Sequence, residues 1–273
     1  MARTAELPKS ASIRPTPSTV LVSLLLAVSV VSAARSETLD AAAERYRPYM
    51  IADIDRSLAG ARMLEDRIAV KDLAGAKKAW IEARVGWERA EVFTSAYVPD
   101  LDQEIDAWPN ALAGFHAIEA KLFGAGSLDV GDETGALIFN LADLDVKVHH
   151  IELLPQRMLN GTARLAYELG ESKADGGESR FSGTSLDDMR NNIEGIRLAY
   201  TTIFAPMLEA HDRTLAAAVR AKIDRVTTLV QVPDLTRLDP DKLRAASEEL
   251  VLALQAAAPA LGLRSPTLEE IAE

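Results

Sequence analysis

Between Thr38 and Val70 the apolar residues Tyr46, Tyr49, Met50, Ile54, Leu58, Met63 and Leu64 recur close to a 3.6-residue spacing. That period predicts one long amphipathic helix, which needs partners of matching length to cover its apolar stripe. "KDLAG" follows, with Asp72 well placed as an N-cap, and a second helix is predicted through "AKKAWIEARVGWERAEVFTSAY" as far as Pro99. Two helices joined by so short a connection pack antiparallel. The rest of the composition agrees with a helical chain. Aromatic residues are only 5%, while the 15 glycines and 12 prolines gather at a few places rather than punctuating short strands.

Further along, residues 98–110 read as a loop rich in Asp, Glu and Pro, and the helix holding His116 begins after it. Residues 124–134 break the chain again. A helical stretch is predicted from about 134 to 159 with an interruption at Pro155, and a further break at Asn160-Gly161. The polar stretch 171–185 has adjacent glycines and no apolar period, so it reads as the main loop. Three more helical stretches follow. The expected fold is all-α, two packed up-and-down helical bundles, in one helical domain over 34–273 that divides into sub-bundles near 171–185. No repeat at a solenoid period is present.

The first 33 residues differ from the rest. Arg3, Lys9 and Arg14 precede an uncharged run from Val20 to Ala33 that ends in Val31-Ser32-Ala33, the pattern of a secretory signal cleaved after Ala33. As a helix the run rises only about 21 Å against a hydrocarbon core of roughly 30 Å, too short for a span. A periplasmic or secreted product is expected, without membrane insertion after cleavage. The chain has no cysteine, which excludes thiolate metal sites, disulfides and a lipidated cysteine. Its formal net charge of −11 repels nucleic acid and suits cations, although acidity also simply keeps a protein in solution.

"LAGFHAIEAKLFG", residues 112–124, sets His116 three positions before Glu119. On a helix the two side chains can address one atom-sized space. Spacing alone leaves the pair open between half of a cation site and an ordinary surface or core pair, because two ligands do not complete a coordination shell. Glu88 and Glu91, also three apart, become candidates if the second helix packs beside the His116 helix. Of the loop acids Asp100, Asp102, Glu104 and Asp106, three are expected to be solvated. The metalloprotease pattern H-E-x-x-H is missing, since His149 and His150 are adjacent, and there is no G-x-S-x-G, P-loop or dinucleotide fingerprint.

"GFHAIEAKLFG" resembles the G-x-H-x-x-E signature of the imelysin-like family. "ARVGWERAEVFTSAYVPDLDQEID" is similar to the helix and loop that precede it, and "GGESRFSGTSLDDMRNNIEG" to a later family segment, with Phe181 where Tyr is usual. The three segments stand in the family's order and cover roughly residues 45–230. The likeness extends to the periplasmic iron-uptake components of the EfeO and short EfeM types. It implies two helical bundles and capture of iron, with zinc or copper as alternatives, for a membrane iron permease, and a periplasmic peroxidase as a further partner. It implies His116, Glu119 and Glu91, with Glu88 beside it, as the metal residues. An acidic-polysaccharide-binding role is the alternative, for which Arg84, Trp87, Arg89 and Trp108 are the clustered candidates. The family also carries a peptidase label. It is set aside here, and no enzyme is expected, because no complete catalytic zinc motif is present.

Overall fold

The computed structural model describes residues 38–107 and 113–272. The expected signal and its cleavage after Ala33 lie outside the described residues, as does Trp108. Among the described residues there is no strand, and no helix is long and apolar enough to cross a membrane.

The first long helix, α1 (Leu39–Ala69), is capped by the Thr38 hydroxyl, which accepts from the Ala41 N–H at 3.2 Å. Its buried face carries Tyr46, Met50, Ile54, Leu58 and Leu64 as the period requires. Tyr49 and Met63 lie off that stripe and are exposed. Lys71, in a left-handed conformation, turns the chain, and the Asp72 carboxylate accepts from Gly75 N–H at 2.8 Å to start α2 (Leu73–Tyr97).

The predicted 98–110 loop is partly helical: Pro99 opens a short α3 (Pro99–Ile105), where a proline at the first position sacrifices no intrahelical bond. α4 (Gly114–Glu119) holds the signature and runs on into a wider π turn, Ala120–Gly124. Helix α5 (Gly131–Val148) ends before Pro155, which begins α6 (Pro155–Glu171) rather than interrupting one longer helix. The break expected at Asn160-Gly161 is absent, and α6 continues through both residues. Then come α7 (Ser185–Ala199), a π turn over Tyr200–Phe204, α8 (Ala205–His211), α9 (Arg213–Val230), α10 (Pro240–Ala257) and α11 (Leu268–Ala272).

Helices α1, α2 and α5 pack together with α3 and α4 at one end, and α6, α7, α9 and α10 form the second bundle. The described residues all fall in one compact unit, and the 171–185 segment lies inside it. Helix α2 touches both bundles, and small residues explain how. A methyl group at Gly86 would collide with the Asp53 carbonyl of α1. One at Gly161 of α6 would collide with the Val92 carbonyl, and one at Gly195 of α7 with the Arg89 carbonyl. Three neighbouring helices therefore approach the α2 backbone more closely than any side chain allows, which fixes their depth and register. Gly161 is retained for this contact, not to end a helix.

The packing predicts opposite outcomes for two glycines. Gly161→Ala forces α6 off α2 and costs about 1–3 kcal/mol. Gly135→Ala, on an exposed face of α5 with open space around it, gains up to about 1 kcal/mol from helix propensity. Urea denaturation midpoints of the two variants check both signs.

Candidate metal centre

On α2, Arg84, Glu88 and Glu91 follow one another at helical spacing, and Arg84 and Glu88 are buried. The signature helix is clamped against them. Gly114 has φ +62, and a side chain there would strike the Ile105 carbonyl, so α4 starts directly on the end of α3. Two buried indoles hold this corner: Trp80 Nε1 donates to the Phe115 carbonyl at 3.0 Å, and Trp87 Nε1 donates to Asp106 Oδ2 at 2.7 Å. Asp106 at the end of α3 thereby faces His116 of α4, with Nε2 to Oδ1 at 3.1 Å.

The third wall is the polar segment after α6. It turns inward, and Lys173, Glu178 and Ser179 are buried. Glu178 Oε1 lies 3.8 Å from His116 Nε2 and 3.5 Å from Arg84 Nη2. Lys173 Nζ stands 3.1 Å from Glu88 Oε2, 3.0 Å from Glu91 Oε2 and 3.1 Å from Glu178 Oε1. Helix α7 adds Asp188, 3.3 Å from Arg84 Nη2, and Asn192, whose Nδ2 donates to Glu88 Oε2 at 2.8 Å and Glu91 Oε2 at 2.6 Å. Arg84 also pairs closely with Glu88 and Asp106.

Two trios of ligand atoms result, each within 4.8 Å of one another: Asp106, His116 and Glu178, and Glu88, Glu91 and Asp106. Of the residues expected from sequence, His116, Glu88 and Glu91 belong to these trios and Glu119 does not. Glu119 Oε2 faces the other imidazole nitrogen, Nδ1, at 3.4 Å. Its Oε1 accepts from the Phe181 N–H at 3.0 Å and from the Ser182 N–H and hydroxyl, both at 2.7 Å. Glu119 therefore orients the imidazole and ties α4 to the polar segment, the usual task of a carboxylate behind a ligating histidine.

Asp106 and Glu178 are the residues that sequence reasoning missed. Asp106 stood among acids expected mostly in solvent; Asp100 and Glu104 are exposed, but Asp102 also turns inward and accepts from the Thr94 hydroxyl at 2.5 Å. The Gly-Glu of "GGES" was the available signal for Glu178, within a segment whose polarity suggested only a loop.

Six carboxylates, Glu88, Glu91, Asp106, Glu119, Glu178 and Asp188, surround Arg84, Lys173 and His116. Burial disfavours charge on His116, but Asp106, with Glu119 and Glu178, overrides it and pushes the imidazole up to about 11. Burial likewise opposes ionisation of Glu178, yet Lys173, His116 and Arg84 hold it down to about 2; Asp106 is held well below the carboxylate range by Arg84 and His116. Elsewhere burial wins. It raises Glu91 well above its ordinary value, with Glu88 adding repulsion, and lifts Asp188 to about 7 against the pull of Arg84. The centre thus contains more acidic groups than basic ones, and burial works against charge on Glu91 and Asp188. A cavity of about 260 Å³ adjoins it, lined by the acids Glu91, Asp102, Asp106, Glu168, Glu171 and Glu178 together with Arg164 and Lys173.

Three of the polysaccharide candidates lie among the described residues, and none of the three lines an open groove. Trp87 and Arg84 are fully buried in the centre, and Arg89 is paired with Asp53 of α1 at 2.9 Å.

The imelysin family model (Peptidase_M75) matches residues 32–111 and 110–261. The chain is 30% identical over 204 residues to an Efem/EfeO family lipoprotein of Staphylococcus haemolyticus, covering 71% of this chain and 70% of that protein. It is 27% identical over 237 residues to the iron uptake system component EfeM of Pseudomonas syringae pv. syringae, covering 81% and 82%. The crystal structure of a protein described as an iron-regulated protein A precursor, from Parabacteroides distasonis, superposes with a TM-score of 0.64 at 17% identity. It covers 82% of this chain and 95% of that one, and shows the same fold.

Asp102 offers a pH test of this region. Burial lifts its carboxyl to about 7 from an ordinary 3.8, against the Thr94 hydrogen bond. The folded protein therefore holds a proton that the unfolded chain releases, and stability contributed by that proton is complete below about pH 4 and lost as pH rises through about 7. Asp102→Asn keeps the acceptor and removes the titration. Its urea midpoint is expected to gain on wild type between about pH 4 and pH 7, the window between the two pKa values, and a constant offset would sink the assignment.

Proposed function

The chain belongs to the imelysin family, and from that premise we propose that it is an extracytoplasmic metal-binding component of an iron-uptake system. One observation carries the reading. Asp106, His116 and Glu178, from three separate elements, bring ligand atoms within 4.8 Å of one another inside an acidic, buried corner. An imidazole with carboxylate oxygens is a hard, oxygen-rich donor set that accepts iron, manganese or zinc, and the absence of thiolates disfavours Cu(I). Asp106, His116 and Glu178 hold the cargo ion, Glu119 orients the imidazole, and Glu88 and Glu91 supply the second wall.

The acid-lined cavity beside the centre supports entry of a cation from solvent. The name of the Pseudomonas relative, an iron uptake system component, supports a place in iron uptake, and transfer of the ion to a membrane iron permease is the step proposed for it. A binding and release role asks nothing of a nucleophile, and the reading is accordingly of a carrier rather than a peptidase.

Binding is competitive with protons. His116, held up to about 11, must give up a proton to ligate. Affinity for Mn2+ or Fe2+ is therefore expected to rise with pH across the neutral range, with protons released into the buffer. Isothermal titration in buffers of different ionisation enthalpy reads both quantities, and a pH-independent affinity would count against ligation by His116.

The same titration separates the roles within the signature. His116→Ala is expected to remove measurable binding. Glu119→Gln, which alters only what lies behind the imidazole, is expected to weaken binding by about 10- to 100-fold. Equal affinity in wild type and His116→Ala would remove this centre from consideration.

A further inference from the structure

The two trios of the centre share Asp106. They therefore describe two adjacent cation positions with a common carboxylate, the layout of a two-ion site, in which ions sit about 3.5–4 Å apart. Arg84 borders carboxylates of both positions, and one position has a second cation against it. The Lys173 ammonium, on a side chain 4% exposed as a residue, lies within 3.0–3.1 Å of Glu88, Glu91 and Glu178.

Lysine normally keeps its ammonium in water and buries only its stem. Taking the charge out of water costs several kcal/mol unless every donor is met. An ammonium has three N–H donors, and here three carboxylates from two elements meet them. Asn192 steadies the same oxygens by donating to both Glu88 Oε2 and Glu91 Oε2. A lysine serving only to lower the overall acidity could act from the surface at little cost. This one is inserted into the oxygen cage itself.

We infer that Lys173 substitutes for a second metal ion, filling the Glu88–Glu91 position with a tethered charge and restricting the centre to one ion. The inference rests on the metal-binding reading above. It gives that reading a physical consequence: the cargo ion shares the Glu178 carboxylate with a lysine, so that ligand is less free to hold it, and release is easier than from a site with all its acids committed to metal.

The test uses the full chain and Mn2+ alone as the probe, with bound ion counted by equilibrium dialysis and metal–metal coupling read by electron paramagnetic resonance. Wild type and Lys173→Arg are expected to bind about one ion per chain, uncoupled. Lys173→Met is expected to bind about two, with a spin-coupled signal. Because Lys173→Met leaves acids facing one another, its thermal midpoint should fall without manganese and recover on addition of Mn2+ by more than wild type gains. A Lys173→Met protein that holds one uncoupled ion, or that melts early and is not rescued by Mn2+, overturns the inference, as does a wild type that holds two. His116→Ala separates the two ideas. If wild type binds Mn2+ and His116→Ala does not, the first reading stands whatever Lys173→Met does; if no form binds Mn2+, both fall.

Discussion

The guanidinium of Arg84, almost wholly removed from solvent, is the interaction on which the centre depends. A buried charge of that kind is tolerable only with counter-charges in contact, and removing one partner of such a pair costs about 3–5 kcal/mol. Its partners come from different parts of the chain: Glu88 one turn along α2, Asp106 at the end of α3, Glu178 from the segment after α6, and Asp188 on α7. Satisfying one residue therefore positions four elements. The same contacts hold Asp106 and Glu178 in their charged forms beside His116, so the demand that organises the fold also prepares the donor set.

That network is held at close range by packing that has nothing to do with charge. α2 is approached by three helices at glycines whose missing side chains leave room for a backbone carbonyl, that of α1 at Gly86 and those of α2 at Gly161 and Gly195. Around it Trp80, Trp87, Phe93 and Phe115 are fully buried, and two of them use their indole N–H groups to fix the corner where α3 meets α4. The apolar core sets distances, and the polar cluster uses them.

The polar segment after α6 shows how an unpromising composition becomes part of an interior. Its Glu178 and Lys173 are buried because they neutralise each other and the residues of α2, and its serines satisfy Asp188 and Glu119. Glu119, at the end of the signature, holds this segment through the Phe181 and Ser182 N–H groups. The signature thus has two directions: the histidine points into the centre, and the glutamate ties down the wall opposite.

Helical class, the long α1, the Asp72 cap and the antiparallel α1–α2 pair were legible in the sequence, because period and capping act over a few residues. His116, Glu88 and Glu91, put forward from helical spacing, are brought by the fold into one cluster around Asp106. What the sequence left open is long-range. Gly161 looks like a helix end when only its propensity is read, and proves to be the place where α6 meets the Val92 carbonyl. Asp106 and Asp100 are alike as loop acids, and only the corner built by Gly114, Trp80 and Trp87 brings one of them to His116 while the other faces solvent. Lys173 and Glu178 sit in a stretch without apolar period, and apart from the family-like Gly-Glu at Glu178 nothing local distinguishes them from surface charges. Their burial follows from charge compensation across α2, α3 and α7, and such compensation exists only after those elements have come together.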